Sequence, residues 1–247
     1  MIFTIARKEL FMLFASPLAW VLLALIHALL AWFFLGRLDA FLQVQPQLVQ
    51  IENPPGFTEI IVTPVFSIAA IVLLMLIPLL TMRQFAEERK NHTLTLLLSA
   101  PVTVTEIVLG KFLGLIIFFL GIIGLIVAMC VALKAGGTLD YGLIISGASG
   151  LFLLMCCFVA LGLYISSLTA QPVLAAIGVL AILLGFWVID LVTSDDQGWV
   201  YYVSIFKQFE LLNNGLLDTF STVYLVLFTL FFLVLTIRHL VGERLHG

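Results

Sequence analysis

Six stretches of this chain contain no Asp, Glu, Lys or Arg: 17–36, 60–82, 112–133, 141–170, 172–189 and 219–237. Each reaches or exceeds the roughly 17–25 residues that a tilted helix needs to cross a bilayer. Backbone N–H and C=O groups find no water in hydrocarbon, so a spanning segment must be a helix or part of a closed barrel. The runs lack the strict apolar/polar alternation of barrel strands. They therefore read as six transmembrane helices. With 63% apolar and 10% charged residues and a mean hydropathy of +1.23, the chain has too much apolar surface to bury in one water-soluble core.

The expected architecture is an all-α integral membrane protein, one domain over 1–247, with spans at about 17–36, 60–82, 112–133, 141–168, 172–190 and 219–238. An even number of spans returns both termini to one side. With that side inside, the inner segments carry Arg7, Lys8, Arg83, Arg89, Lys90, Lys111, Arg238 and Arg244, and the outer ones only Arg37, Lys134 and Lys207. This bias places both termini in the cytoplasm by the positive-inside rule. The first run is too long for a typical signal-peptide core and lacks a clear cleavage site, so it is expected to stay as the first span. Cys130, Cys156 and Cys157 all fall inside spans, where they read as packing residues.

Residues 1–14 mix Ile2, Ile5, Phe11 and Phe14 with Arg7, Lys8 and Glu9. Two readings stand: a helix lying flat at the inner interface, or an extension of the first span. Ser16-Pro17 marks a break. The segment 37–59 reads as an outer loop, with Asn53-Pro54-Pro55-Gly56 as its strongest signal. Pro78 would kink the second span at its inner end. Short connections around Gly136-Gly137 and Ser166 to Pro172 make tight hairpins. Between Asp190 and Asp218, Trp199, Tyr201, Tyr202, Phe206 and Phe209 suit a short interfacial or re-entrant helix pair, with a surface loop as the alternative.

One island interrupts the apolar pattern. From Arg83 to Lys111 it holds seven of the chain's 25 charged residues. Glu87, Glu88, Arg89 and Lys90 are followed by Leu94, Leu97 and Leu98 on one helical face, and Pro101 would end the helix. A charged rim beside a leucine face suits insertion into a groove of a soluble partner, or residence among lipid headgroups.

Ala6–Leu10 with Ser16-Pro17, Pro78–Arg89, Leu96–Val102, Glu106–Lys111 and Ala160–Thr169, in this order and spacing, resemble the permease subunits of ABC-2-type transporters. Among these the gliding-motility permeases of the GldF type are more similar than the nitrous-oxide-reductase accessory permeases of the NosY type. The resemblance implies the six-helix ABC-2-type exporter permease fold with an N-terminal interfacial helix, in a bacterial inner membrane. It also implies a second permease copy or paralogue and two cytoplasmic ATP-binding-cassette ATPase subunits. The island becomes a cytoplasmic coupling helix within 83–106, and Glu87, Glu88, Arg89, Thr93, Leu97 and Leu98 become the ATPase-docking residues. The chain departs from the family pattern at His92, where Gly is frequent, and at Thr95, where Glu is frequent.

The chain carries no phosphate-cradling loop: Phe112 follows Gly110-Lys111, and no Gly stands five residues before Gly110. ATP and magnesium are thus expected on the partner, with no cofactor, metal or catalytic residue in this chain and no nucleic-acid partner. His27 is the one ionisable side chain deep in a span and reads as an interior hydrogen-bonded residue. No zinc-protease His pair or serine nucleophile elbow is present. A secondary transporter would show paired intramembrane charges or a repeat. The expected activity is export or flipping of an amphipathic substrate driven by partner ATPases. The alternative is mechanical transmission to a periplasmic partner through 37–59 and 190–218.

Overall fold

The computed structural model describes residues 1–48, 56–94, 102–135, 139–192, 204–216 and 218–246. Among these the regular structure is helical: α1 (Ile2–Ala15), α2 (Pro17–Leu48), α3 (Phe57–Thr81), α4 (Ala86–Lys90), α5 (Val104–Ala132), α6 (Tyr141–Leu168), α7 (Pro172–Val192), α8 (Ile205–Asn213) and α9 (Thr219–His246). A single 3₁₀ turn, Leu133–Ala135, follows α5. Six of the helices, α2, α3, α5, α6, α7 and α9, are long and apolar enough to cross a membrane.

The bundle is built around α6, which is buried along most of its length, whereas α2, α7 and α9 leave most of theirs exposed. Neighbours on α6 include α3, α5, α7, α8 and α9, so both expected hairpins pack as adjacent pairs. Close approach depends on small residues, which let backbones meet where no hydrophobic drive distinguishes helix from lipid. A Cβ on Gly162 of α6 would come within 2.7 Å of Thr81 Cβ at the end of α3. The three cysteines are buried and unpaired in disulfides, and the Cys157 thiol donates to the Leu225 carbonyl at 3.2 Å.

At the ends of α2 one expectation stands and one needs correction. The chain does break at Ser16 (φ −85°, ψ 128°), so residues 1–14 are a separate helix and not an extension of the first span. At its far end α2 runs on to Leu48, and most of the expected outer loop 37–59 is helical. The polar residues that looked like loop are spaced for a helix: Arg37 lies 5.3 Å over the Phe33 ring, and Gln43 Nε2 donates to Asp39 at 3.0 Å. Phe41 also reaches Phe57 of α3, with ring centroids 4.9 Å apart. Asn53-Pro54-Pro55 lies outside the described residues.

The α1 helix packs along the first half of α5. Gly110 and Gly114, one turn apart, admit it: a Cβ at Gly110 would sit 2.7 Å from Ile5 Cβ, and one at Gly114 2.9 Å from Glu9 Cβ. The other face of α1 stays open, with Phe3, Phe11 and Met12 exposed. At the opposite end of the bundle, α8 is the second member of the expected short helix pair, and it buries Ile205, Phe206, Phe209 and Leu212. The first member would fall within 193–203, outside the described residues.

Candidate functional site

The charged island is not one helix. Pro78 lies in the last turn of α3, which ends at Thr81, and the chain turns through 82–85 into the five-residue α4. Serine caps this short helix from a distance: the N–H groups of Phe85 and Ala86 both donate to Ser166 Oγ of α6 at 3.1 Å, and that hydroxyl donates to the Met82 carbonyl at 3.2 Å. Helix starts leave N–H groups without intrahelical partners, and a hydroxyl answers that need. After Lys90 the chain reverses at His92, whose φ of 55° is left-handed. Gly adopts that conformation without steric cost, and His is among the few other residues enriched in it. The reversal corrects the expected continuous helix from Glu87 through Leu98: the polar start is α4, and Leu94 lies beyond the turn, buried at 5% exposure.

The predicted docking residues separate into three groups. Glu87 points outward, about half exposed, with Arg83 at 3.9 Å. Thr93 is exposed, and its hydroxyl donates to the Glu88 carbonyl at 3.1 Å. Glu88 and Arg89 turn inward. The Lys111 ammonium, 2% exposed, donates to Glu88 Oε1 at 2.7 Å and to Glu9 Oε1 of α1 at 3.1 Å. It also stands 5.3 Å from the centroid of the Phe85 ring. Arg89 Nη2 donates to both carboxylate oxygens of Glu243 at 2.7 and 2.8 Å, and to the Ser167 carbonyl at 2.6 Å. Leu97 and Leu98 fall outside the described residues.

A buried ammonium is tolerated only when carboxylates and hydrogen bonds replace its hydration. Lys111 meets that condition because α5 starts earlier than the charge-free run. A capping box, in which the Thr103 hydroxyl accepts from Glu106 N–H while the Glu106 carboxylate accepts from Thr103 N–H, opens the helix at Val104. Lys111 therefore lies about two turns inside α5 rather than in the connecting loop. The five-residue α4 is thereby tied to α1 and α5 through Lys111, to α6 through Ser166 and Ser167, and to α9 through Glu243. A displacement of α4 loads four helices at once.

Sequence reasoning found the island but missed Glu9, Lys111, Ser166 and Glu243 as its supports. One signal was available. Gly110 and Gly114 bracket Lys111, a spacing that lets another helix close over the lysine. His27 sits as expected, its Nδ1 2.8 Å from the Leu23 carbonyl one turn earlier.

Comparison with curated proteins gives no match. A family model described as ABC-2 family transporter protein matches residues 3–241, almost the whole of the six-span bundle and the network around α4 apart from Glu243. The chain belongs to the ABC-2 transporter family, as a multi-pass membrane protein of that family.

Proposed function

We propose that this chain is the permease subunit of an ATP-binding-cassette transporter, and that α4 with the turn after it receives force from a cytoplasmic ATPase subunit. The observation that carries this reading is the attachment of a five-residue surface helix to α1, α5, α6 and α9 by charged and capping contacts. A helix that short has little stability of its own, so its position is set by what holds it.

In this reading the end of the bundle bearing α4 faces the cytoplasm of a bacterial inner membrane, in accord with the Lys/Arg bias. Two ATPase subunits, which carry ATP and magnesium, dock on α4 and the following segment of each of two permeases, identical or paralogous. Glu87, Thr93, Leu97 and Leu98 make the contact. Glu88 and Arg89 hold the docking element on the bundle and act as positioning residues. Pushing α4 tilts α3, to which the short turn 82–85 joins it, and drags α5 and α9 by their ion pairs, so the motion is rigid-element coupling. Within the family, the order of the motifs supports kinship with the GldF-type gliding-motility permeases.

The cargo is an amphipathic molecule exported or flipped along the bundle. A second reading, work passed to a periplasmic partner without cargo, is favoured by one observation. Several polar side chains in the spans, among them Thr81, Ser146, Thr229 and Thr236, donate to carbonyls of the chain itself, leaving those donors little role in a hydrophilic path.

The test is a mild-detergent pull-down of the tagged chain from its native membrane, with ATPase assay of the eluate. An ATPase recovered with the wild type and lost on Leu97→Asp with Leu98→Asp is the expected result. Folded chain that is reproducibly free of ATPase overturns the docking assignment.

A further inference from the structure

A cavity of about 300 Å³ opens beside the ion-pair network, between α1, the α1/α2 junction, the end of α3 and α4. Two of its wall residues carry buried acceptors that no donor meets among the described residues: Gln84 Oε1, on a side chain only 5% exposed, and Glu88 Oε2. Buried acceptors without donors are rare and costly. Two on one cavity call for a ligand rich in N–H groups. The charge of the wall agrees: Glu9 and Glu88 face the single ammonium of Lys111, leaving one formal negative charge in the depth.

The mouth has the opposite sign. Lys8 and Arg83 stand there with Glu87, a net single positive charge. Beside them Met12 and Leu79, both also on the cavity wall, expose apolar side chains. From the inside outward the site thus offers a cation-binding wall, an anion-binding rim and an apolar lip. A lipid headgroup that ends in a primary ammonium, with a phosphate next and acyl chains after it, has the same order.

We propose that this cavity binds the headgroup of a phosphatidylethanolamine lipid, its ammonium donating to Gln84 Oε1 and Glu88 Oε2 and its phosphate held by Lys8 and Arg83. The acyl chains leave over Met12 and Leu79 along the outside of α1 and α3. The site discriminates among lipids by hydrogen-bond chemistry. A choline headgroup carries the same charge but has no N–H to donate, and a glycerol headgroup has no cation. The site is read in this chain alone and does not need an ATPase on α4 to form.

The experiment uses the full chain in detergent, titrated separately with phosphatidylethanolamine, phosphatidylcholine and phosphatidylglycerol of identical acyl chains, with bound lipid counted by native mass spectrometry. Phosphatidylethanolamine is expected to bind about a hundredfold more tightly than the other two, about tenfold for each of the two charge-assisted hydrogen bonds of its ammonium. Gln84→Met removes one of the two acceptors without changing charge and is expected to lower that preference to about tenfold. Equal binding of the three lipids by the wild type, or preference for phosphatidylglycerol, overturns the proposal whether or not the variant folds. Full preference retained in Gln84→Met overturns the placement of the ammonium. Soluble phosphoethanolamine is the remaining arm: binding as tight as the lipid's would assign the site to a free phosphate amine and remove the lipid from it.

Discussion

At the end of the bundle where α4 sits, helices distant in sequence are joined by charge: Glu9, Glu88 and Lys111 in one cluster, Arg89 and Glu243 in another. At the opposite end the joins around α8 are largely neutral. Ser146 Oγ donates to the Leu212 carbonyl at 2.6 Å, Asn213 Nδ2 to the Thr63 carbonyl at 2.9 Å and Ser67 Oγ at 3.0 Å, and Ser221 Oγ to Gln208 Oε1 at 2.8 Å. Neutral bonds contribute modestly and fail one at a time. A buried charge cluster fails as a unit, because each member left alone is an uncompensated ion. The α4 end is therefore suited to move as one piece, and the α8 end to hold its shape.

The contrast is broken most severely at Lys111. Lys111→Met leaves two carboxylates facing each other and is expected to cost about 3–5 kcal/mol, seen as a large fall in the unfolding midpoint in detergent. Combining it with Glu9→Leu and Glu88→Leu should recover most of that loss, because apolar replacement of a whole buried ion cluster is often neutral. If the triple variant is no better than the single one, charge is not what joins this end.

Next in size is Gly114→Val, which pushes α1 off α5 and should cost about 1–3 kcal/mol by overpacking. Its midpoint is expected to fall while lipid insertion is retained. At the α8 end, Asn213→Leu removes two neutral bonds and should cost about 1–3 kcal/mol, at about 0.5–1.5 kcal/mol each. Stimulation of a partner ATPase should persist in that variant, and its loss would mean that the two ends are coupled. Smallest in stability is Glu87→Gln, an exposed change expected to stay within about 0.5 kcal/mol. Its effect should appear instead as weaker ATPase stimulation, and unchanged stimulation would remove Glu87 from the docking surface.

The sequence was most legible where the bilayer dictates it. Apolar runs located the six long helices because lipid leaves the backbone no other choice. Legibility fell where polar residues continue a helix past the apolar run, as Arg37, Asp39 and Gln43 do in α2 and as Val104 to Lys111 do in α5. Local pairs and a capping box, not hydropathy, decide those turns. The island was legible as a charged break between spans, but not its inward half. Glu88 and Arg89 read as surface charges because their partners, Lys111 and Glu243, are 23 and 154 residues away. The reversal at His92 was hidden because a histidine gives only a weak local sign of positive φ.

The pairing of Glu9 with Lys111, 102 residues apart, also sets an order of assembly. During synthesis α1 emerges first, yet the helix that receives it is made only after α2 and α3. Until then Glu9 has no ammonium to meet and Ile5 no glycine to rest on, so α1 must wait at the membrane surface. This end is therefore built by closing an early segment over a later one, and it is complete only when α9 brings Glu243 to Arg89. In a chain halted before α5, the face of α1 that carries Ile5 and Glu9 would have no helix of this chain to cover it.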